Sequence, residues 1–265
     1  MSHKIAIIGV GNMGGSLAKA VAGNLKGSTV FIYDKIFEKE RDLIKSGCIA
    51  TAKAIDACKK ADVIIIAVKP NIIPVVISEI KDYIKDKLLI SIAAGMKTAE
   101  YEEMVPGQRF IRAMPNMAVA VSEGMTTLVV GMHATEDDIK TSEEIFRATG
   151  KVVVIKESLM DAATAIAGSS PAYVFMLIEA MADAAVSEGL SRKTSYKMAA
   201  QAVMGSAKLM LENDEHPGML KDKICSPGGT TIEAVNTLEK GGFRTIVIEA
   251  VKACTKKSRD MSGDK

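Results

Sequence analysis

The sequence predicts an α/β protein in which a doubly wound sheet is followed by an all-helical domain. Up to about residue 155, short β-branched runs alternate with amphipathic stretches, as in parallel βα units. A Gly-x-Gly-x-x-Gly motif directly follows the first of these runs. After Ser158 no convincing strand remains, and Ala-, Met- and Leu-rich helical patterns continue to the end. We therefore predict domains at 1–158 and 159–265.

The predicted strands are short apolar runs bounded by turn residues. We place them at Lys4–Ile8, Thr29–Tyr33, Val63–Val68, Leu88–Ile92, Arg109–Ala113, Thr127–Val130 and Val152–Ile155. Among the helices between them, one begins with Thr135 and Asp138, spaced as a capping box. Gly150 is expected to end that helix.

Composition and charge exclude several classes of protein. With 48% hydrophobic and 25% charged residues in a chain of 265, the protein is an ordinary globular one. A net charge of +2 gives no reason to expect a nucleic acid or a membrane as partner. Cys48, Cys58, Cys225 and Cys254 are widely separated, which favours free thiols and no metal site. The N-terminus lacks a signal-peptide pattern, so a cytoplasmic location is expected.

The most apolar part of the chain is 162–186. It contains a Ser-Ser-Pro break at 169–171 and the acids Glu179 and Asp183, so we predict a buried helix rather than a membrane span. Residues 172–186 are more apolar than one small helical domain can easily cover. We therefore expect a second subunit to cover them.

The glycine motif reads Gly9-Val10-Gly11-Asn12-Met13-Gly14 and opens a predicted helix. In this context Gly9 allows a tight turn, Gly11 lets a pyrophosphate approach the backbone, and Gly14 permits close packing of helix on strand. The start of the helix supplies unpaired N–H donors for phosphates. The alternative is a glycine-rich turn without a ligand. The neighbours of the motif favour a Rossmann-like dinucleotide-binding domain.

An acid follows the second predicted strand, as a ribose ligand should. Asp34 lies 20 residues after Gly14, where a carboxylate accepts hydrogen bonds from the ribose hydroxyls of NAD and repels a 2′-phosphate. Lys35 can partly neutralise such a phosphate, so the pair tilts the choice toward NAD without deciding it. The alternative is a solvated acid in a turn.

Two further strand ends point to the same edge of the sheet, where open α/β folds bind ligands. At the first, Val68 and Lys69 precede Pro70, which resembles the first residue of a helix. Lys69 is a candidate contact to the cofactor, or else a solvated lysine. At the second, the Asn116 amide is a candidate to hold the nicotinamide or the substrate, or else it forms an Asx turn.

A loop in the helical half has the composition of a carboxylate site. Ser226-Pro227-Gly228-Gly229-Thr230-Thr231 precedes an amphipathic run. The two glycines free the backbone to present N–H groups, and the following helix adds its positive end. The alternative is a Pro-Gly turn with a threonine N-cap.

Other catalytic plans are disfavoured by what the chain contains. None of the three histidines, His3, His133 and His216, is placed like a catalytic base held by a carboxylate. After Gly168 and Ser169 no lysine occurs until Lys193. Hydroxyacid dehydrogenases built on a histidine, and relatives built on a helix lysine, are therefore disfavoured.

These residues together resemble the pyrroline-5-carboxylate reductase family over essentially the whole chain. The blocks that carry the resemblance are the motif at 7–14, Val68-Lys69-Pro70, Arg112-Ala113-Met114-Pro115-Asn116, and the segment from His216-Pro217-Gly218 through the 226–231 loop to Gly241-Gly242-Phe243-Arg244. The last block is specific to this family, and the first is shared with many dehydrogenases. One departure is Ser170, where the family usually has glycine. We do not expect it to abolish activity.

The resemblance implies reduction of L-1-pyrroline-5-carboxylate to L-proline with NADPH or NADH, in dimers whose helical domains interlock. A cyclic imine is protonated far more readily than a ketone, so the site needs orientation and a nearby hydroxyl rather than a strong acid. We assign that hydroxyl to Thr231. Ser226 and the backbone of Gly228, Gly229 and Thr230 would hold the carboxylate.

Two other functions stay open at this point. One is a regulator that binds NAD(P) without turnover, whose expected signature is a degraded substrate loop. The other is a related imine or hydroxyacid reductase with the same two-domain plan.

Overall fold

The computed structural model describes residues 2–36, 38 and 40–263. Its strands are β1 Lys4–Ile8, β2 Thr29–Tyr33, β3 Ile49–Ala50, β4 Val63–Ile66, β5 Leu88–Ser91, β6 Phe110–Met114, β7 Gly124–Val130 and β8 Gly150–Val154. They form one sheet in the order β3-β2-β1-β4-β5-β6-β7-β8. The strands from β1 to β6 pair in parallel, β7 is antiparallel to β6, and β8 is parallel to β7. The order reverses between β1 and β4, which is where doubly wound sheets open a crevice for ligands.

The α-helices are α1 Asn12–Asn24, α2 Arg41–Lys45, α3 Ala54–Lys60, α4 Ile73–Ile80, α5 Thr98–Met104, α6 Glu136–Arg147, α7 Met160–Ala163, α8 Ser170–Ser187, α9 Arg192–Asn213, α10 Pro217–Ile224, α11 Thr230–Lys240 and α12 Phe243–Met261. A π-helical turn, Thr164–Ser169, joins α7 to α8. After Val154 the described residues form helices and connecting segments only.

The core lies on both faces of the sheet. Along β1, Ile5 and Ile7 pack with α1 and α6, whereas Ala6 and Ile8 pack with α3 and α4 on the opposite face. All four side chains are at most 1% exposed. Burial on both faces explains why this strand is a continuous apolar run instead of an alternating one.

Most of the predicted strands agree with the structure. β1 and β2 have their predicted bounds, and the other five predictions overlap β4 to β8. The sequence reading missed β3, a two-residue strand at the edge of the sheet. Two residues are too few to show the period-2 pattern on which the prediction depends.

The capping box at the start of α6 is confirmed, since the Thr135 hydroxyl and the Asp138 carboxylate each accept the other residue's backbone N–H. The prediction that Gly150 ends this helix is wrong. α6 ends at Arg147, and Gly150 begins β8 with φ +147°. A Cβ at Gly150 would lie 1.9 Å from the Gly124 carbonyl oxygen, so glycine is needed for the close pairing of β7 and β8.

Contacts group the chain into a sheet unit, Met1–Ser169 with Cys254–Lys265, and a helical unit, Ser170–Ala253. Residues 159–169, which we predicted to belong to the second domain, therefore group with the sheet. Met160 is buried with Met114 and Val129 of the sheet. The Asp161 carboxylate also accepts a hydrogen bond from the Ser258 hydroxyl at 2.5 Å, which ties α7 to the end of α12.

The helical unit leaves much apolar surface uncovered. α8 packs against α9, yet Ala182 is the only buried residue of α8, and Phe175 and Met176 are 66% and 69% exposed. By length and composition alone, the helical run Glu157–Ser187 could cross a membrane, and 11% of its apolar window is buried. Exposure on this scale marks a surface that another molecule covers.

Candidate active site

The glycine loop has the geometry that its sequence predicts. Gly9 has φ +94° and donates its N–H to the Tyr33 carbonyl at 2.8 Å, which places the turn beside β2. A Cβ at Gly14 would lie 2.1 Å from the Gly9 carbonyl oxygen, so only glycine allows α1 to approach this closely. At Gly11 a Cβ would meet no atom within 4 Å. The open space at Gly11 is where a ligand can approach the backbone.

The start of α1 is ready to bind an anion. Gly11 is its N-cap, no side chain caps it, and its first turn contains no acid. The N–H groups of Asn12 and Met13 thus begin a helix whose positive end is not compensated. The Met13 side chain packs against the core, so a contact from Met13 to a ligand would have to come from its backbone.

Asp34 is fixed against the glycine loop. Its Oδ2 accepts the Val10 N–H at 2.9 Å, and its Oδ1 accepts the Ile36 N–H at 3.0 Å. A carboxylate oxygen has more than one lone pair, so these two bonds do not by themselves prevent a hydrogen bond from a ribose hydroxyl.

Glu40 supports the candidate site in a way that the sequence analysis did not predict. Its Oε1 accepts the Asp34 backbone N–H at 2.8 Å, and the residue is 2% exposed. Burial is the main cause of the raised pKa of its carboxyl group. In the sequence Glu40 is one charged residue in a polar stretch, and only the fold reveals that it holds the backbone of Asp34.

A cavity of about 270 Å³ brings most of the predicted cofactor residues together. Its lining includes Gly9, Gly11, Asp34, Lys35, Val68 and Lys69. Pro70, as predicted, is the first residue of a helix, here the 3-10 turn Pro70–Ile72, with Lys69 as its N-cap. The cavity therefore brings two lysines, Lys35 and Lys69, together with two acids, Asp34 and Glu79, at the point where the strand order reverses.

A second cavity, of about 310 Å³, lies at the carboxyl ends of β5 and β6. Its lining includes Ala94, Gly95, Arg112, Met114, Thr164 and Ser169. Arg112 is 3% exposed and forms an ion pair with Glu157. Its Nε is buried with no hydrogen-bond partner among the described residues. Together the two cavities occupy the carboxyl edge of the sheet unit.

Asn116 lies at this edge, but its amide already bonds to backbone groups of the protein. Oδ1 accepts the N–H groups of Ala118 and Met125, each at 3.2 Å, and Nδ2 donates to the Ala167 carbonyl at 2.9 Å. The bond from the Ala118 N–H to Asn116 Oδ1 is that of an Asx turn, the alternative given in the sequence analysis. The amide keeps one hydrogen for any further partner.

The predicted carboxylate loop lies in the helical unit. The Gly229 N–H donates to the Ser226 carbonyl at 3.0 Å, and Gly228 has φ +65°, as a turn with Pro227 at its first central position requires. A Cβ at Gly229 would lie 2.3 Å from Ser226 Oγ, so the serine hydroxyl occupies the side of this turn.

The helix that follows the loop begins with two threonines. α11 has Gly229 as N-cap and no side-chain cap, so the threonine N-cap alternative is wrong. Thr231 is half-buried and Thr230 is exposed. Within the described part of the chain neither hydroxyl has a hydrogen-bond partner, which leaves both available to a ligand.

Histidine, thiol and metal chemistry find no support in the described residues. His216 caps α10 through Nδ1 and His133 is exposed. His3 Nε2, contrary to the sequence-based expectation, lies 2.9 Å from Glu144 Oε2, but His3 lines neither of the two cavities. No group of three metal-binding side chains occurs in the parts of the chain that the structure describes. Burial raises the pKa of the Cys48 and Cys58 thiols to about 11 and about 12, which makes them poor nucleophiles.

A doubly wound sheet with an open glycine loop, an acid at the end of β2 and an all-helical second unit has the plan of a nicotinamide-dinucleotide oxidoreductase. Comparisons with known proteins agree. A family model for NADP oxidoreductases, coenzyme F420-dependent, matches residues 4–95, and one for pyrroline-5-carboxylate reductase dimerisation matches residues 157–261. The chain is 46% identical to pyrroline-5-carboxylate reductase of Escherichia coli strain K12, over 99% of both chains.

Solved structures give the same result. The crystal structure of Plasmodium falciparum pyrroline carboxylate reductase with NADP bound has a TM-score of 0.86 and 35% identity, and 98% of each chain is covered. The Coxiella burnetii pyrroline-5-carboxylate reductase has a TM-score of 0.92 and 32% identity, again with 98% of each chain covered. The chain belongs to the pyrroline-5-carboxylate reductase family.

We predict that Gly11→Val separates cofactor binding from folding. The φ of Gly11 is −65° and its Cβ position is open, so the variant should fold. Because valine is a poorer N-cap residue than glycine, we expect it to lose about 0.5–1 kcal/mol of stability. The side chain would fill the approach to the backbone and raise the Kd for NADH at least about tenfold, or ~1.4 kcal/mol. Gly14→Ala is the control, because its Cβ would collide with Gly9 and lower the stability itself. Wild-type NADH affinity in Gly11→Val would contradict the assignment.

Proposed function

We propose that this protein reduces L-1-pyrroline-5-carboxylate to L-proline with NADPH or NADH, the last step of proline biosynthesis. The observation that carries the proposal is the presence, in one chain of this family, of an open dinucleotide cavity and an intact Ser-Pro-Gly-Gly-Thr-Thr loop with free threonine hydroxyls. An intact loop argues against a regulator that binds NAD(P) without turnover.

The residues divide the work between the two units. Gly11 and the first turn of α1 would hold the pyrophosphate, and Asp34 would hold the ribose. Lys69, at the rim of the cavity, would contact the cofactor. When bound, the reduced nicotinamide supplies the hydride. Ser226 and the N–H groups of Gly228, Thr230 and Thr231 would hold the substrate carboxylate at the positive end of α11, since the Gly229 N–H is used within the turn. The protein's task is orientation, because the protonated imine is already a good acceptor.

The direct test is the oxidation of NADH and NADPH at 340 nm with pyrroline-5-carboxylate as substrate, with proline measured as product. Turnover with proline formation supports the proposal. Binding of the dinucleotide without turnover would indicate a regulator, and turnover only with a ketone or hydroxyacid would indicate a different reductase.

The cofactor preference is expected to depend on Asp34. A 2′-phosphate next to this carboxylate experiences like-charge repulsion, so Asp34→Ser should raise the kcat/KM for NADPH relative to that for NADH by about tenfold or more, equivalent to ~1.4 kcal/mol. The ratio is the informative quantity, because loss of the bonds to Val10 and Ile36 loosens the loop for both cofactors equally. An unchanged ratio would show that Asp34 is not the ribose ligand.

Thr231 is proposed to donate a hydrogen bond or proton toward the imine nitrogen. It is the half-buried member of the threonine pair, and its hydroxyl is a neutral donor that leaves the backbone N–H groups to the carboxylate. Positioned donors contribute about 10²–10⁴-fold, so Thr231→Ala should lower kcat by that order with the Kd for NADH nearly unchanged.

Thr230→Ala is the matched control, and it should be milder because Thr230 is proposed to act through its backbone. If Thr231→Ala keeps nearly full turnover, or if Thr230→Ala is the more damaging change, Thr231 has no part in the mechanism and the imine must be protonated by solvent before it binds.

Self-association is proposed to be obligate. The uncovered face of α8, with Phe175 and Met176, belongs to the residues matched by the dimerisation model, so a second copy is its natural cover. Light scattering at low micromolar concentration should show a dimer or larger assembly and no folded monomer. A monodisperse, active monomer would contradict this.

The remaining expectations concern location and partners. With its apolar helix assigned to self-association and its charge nearly balanced, we propose a cytoplasmic enzyme whose partners are its small-molecule substrate and its own copies, without nucleic acid or membrane. Fractionation of cells that express a tagged protein tests the location, and recovery in the membrane pellet would contradict it.

A further inference from the structure

The helical run at 157–187 contains Pro171 at a position where a continuous α-helix would use a backbone N–H donor. In an α-helix the carbonyl of Ala167 accepts the N–H of the residue four positions later, which is Pro171 and has none. The segment directly before, Thr164–Ser169, is widened into a π-helical turn. Such turns are rare and are found frequently at functional sites.

The missing donor is replaced from a distant part of the chain. Asn116 Nδ2 lies 2.9 Å from the Ala167 oxygen, across 51 residues of sequence. Its Oδ1 accepts from Ala118 and Met125, so one side chain links the end of β6, the start of β7 and the π-helical turn. All of these groups belong to the sheet unit.

The π-helical turn forms a wall of the second cavity. Thr164 and Ser169, its first and last residues, line this space of about 310 Å³ opposite Ala94 and Gly95. The first cavity lies at the ends of β1, β2 and β4, and the second lies at the ends of β5 and β6, the next strands along the same edge. A dinucleotide whose pyrophosphate is bound at Gly11 would therefore extend along the edge of the sheet, so that its other half lies toward the second cavity.

We propose that Asn116 is a positioning residue for the reduction: by donating to the Ala167 carbonyl that Pro171 leaves without an α-helical donor, it holds the π-helical turn as the wall of the reaction cavity. It acts through that turn and not by touching the cofactor, which revises the sequence-based expectation. The inference rests on the proposed function, since it concerns the site at which the imine is reduced.

The first test is Asn116→Asp. The aspartate keeps oxygen acceptors for Ala118 and Met125, but it places an oxygen opposite the Ala167 carbonyl where the wild-type side chain has a donor. A misplaced wall should lower kcat by about 10–100-fold, since displacements of about 1 Å in a site cost up to 10²-fold. The Kd for NADH should stay within about twofold, because the dinucleotide is held mainly at Gly11 and Asp34.

A matched control is Asn24→Asp. Asn24 Nδ2 also donates to a backbone carbonyl of the sheet unit, that of Ala148 at 2.8 Å, and the residue lines neither cavity. Because the Asn24 bond is exposed and the Asn116 bond is half-buried, Asn24→Asp should lose less stability than Asn116→Asp, and it should keep its kcat. If Asn116→Asp behaves like Asn24→Asp, with stability reduced and kcat unchanged, Asn116 has only a structural role and the proposal is wrong.

The second test restores the donor from within the helix. Pro171→Ala provides an N–H at the position that serves the Ala167 carbonyl in an α-helix. In the Asn116→Asp background, Pro171→Ala should recover part of the lost kcat. In the wild-type background, Pro171→Ala should change kcat by a smaller factor. Additive effects of the two substitutions would contradict the proposal.

A readout that does not depend on turnover is amide hydrogen exchange across 164–169 in the enzyme without cofactor. Asn116→Asp should speed exchange there, and Pro171→Ala should slow it again. Unaltered exchange would show that the Asn116–Ala167 hydrogen bond does not hold the turn, and this result does not depend on whether the wild type reduces pyrroline-5-carboxylate. Failure of the proposed function and failure of this inference are therefore distinguishable. A Kd for NADH raised tenfold or more at unchanged saturating kcat would instead make Asn116 a direct cofactor ligand.

Discussion

The close approach of α1 to the turn after β1 is the constraint on which the sheet unit depends. A side chain at Gly14 would occupy the position of the Gly9 carbonyl oxygen, so the helix can lie against the strand only without one. This contact places the uncapped start of α1 beside the open space at Gly11. Asp34 then bonds to Val10 in the same turn, and the buried Glu40 holds the backbone of Asp34. The proposed phosphate site and the proposed ribose site thus both depend on one packing contact.

The same edge of the sheet continues toward β5 and β6, where the groups are held less directly. Arg112 depends on Glu157 for its countercharge, and the π-helical turn depends on Asn116 for a donor. Both partners are distant in sequence, which makes this part of the site a product of the whole sheet unit. The helical unit is held in a different way. Its loop at 226–231 is ordered locally by a proline-glycine turn, whereas its exposed apolar helix faces are proposed to be covered by another copy of the chain.

Local sequence patterns suffice to predict part of the fold. β1 and β2 were predictable because each is an uninterrupted β-branched run between turn residues, and the glycine loop was predictable because each glycine has its own steric reason. Gly150 was misread because a glycine after a helix and a glycine that opens a tightly paired strand look alike in sequence. β3 has only two residues, too few to show the alternating pattern of a strand.

The candidate site divides in the same way. The positions of Gly11, Asp34 and Lys69 follow from strand ends, which the sequence marks. The support from Glu40 and the bond from Asn116 to Ala167 are contacts between side chains and distant backbone, and no local pattern encodes them. The role of the 226–231 loop came from family resemblance, since its residues alone also fit an ordinary turn.

The central claim is that this chain places a dinucleotide so that its hydride reaches the imine carbon of pyrroline-5-carboxylate. The most direct measurement uses NADH deuterated at the transferred position of nicotinamide C4 and mass spectrometry of the proline formed. The account predicts proline with one deuterium, located at the former imine carbon C5. Proline without deuterium, or the absence of proline from an enzyme that binds NADH, would contradict it.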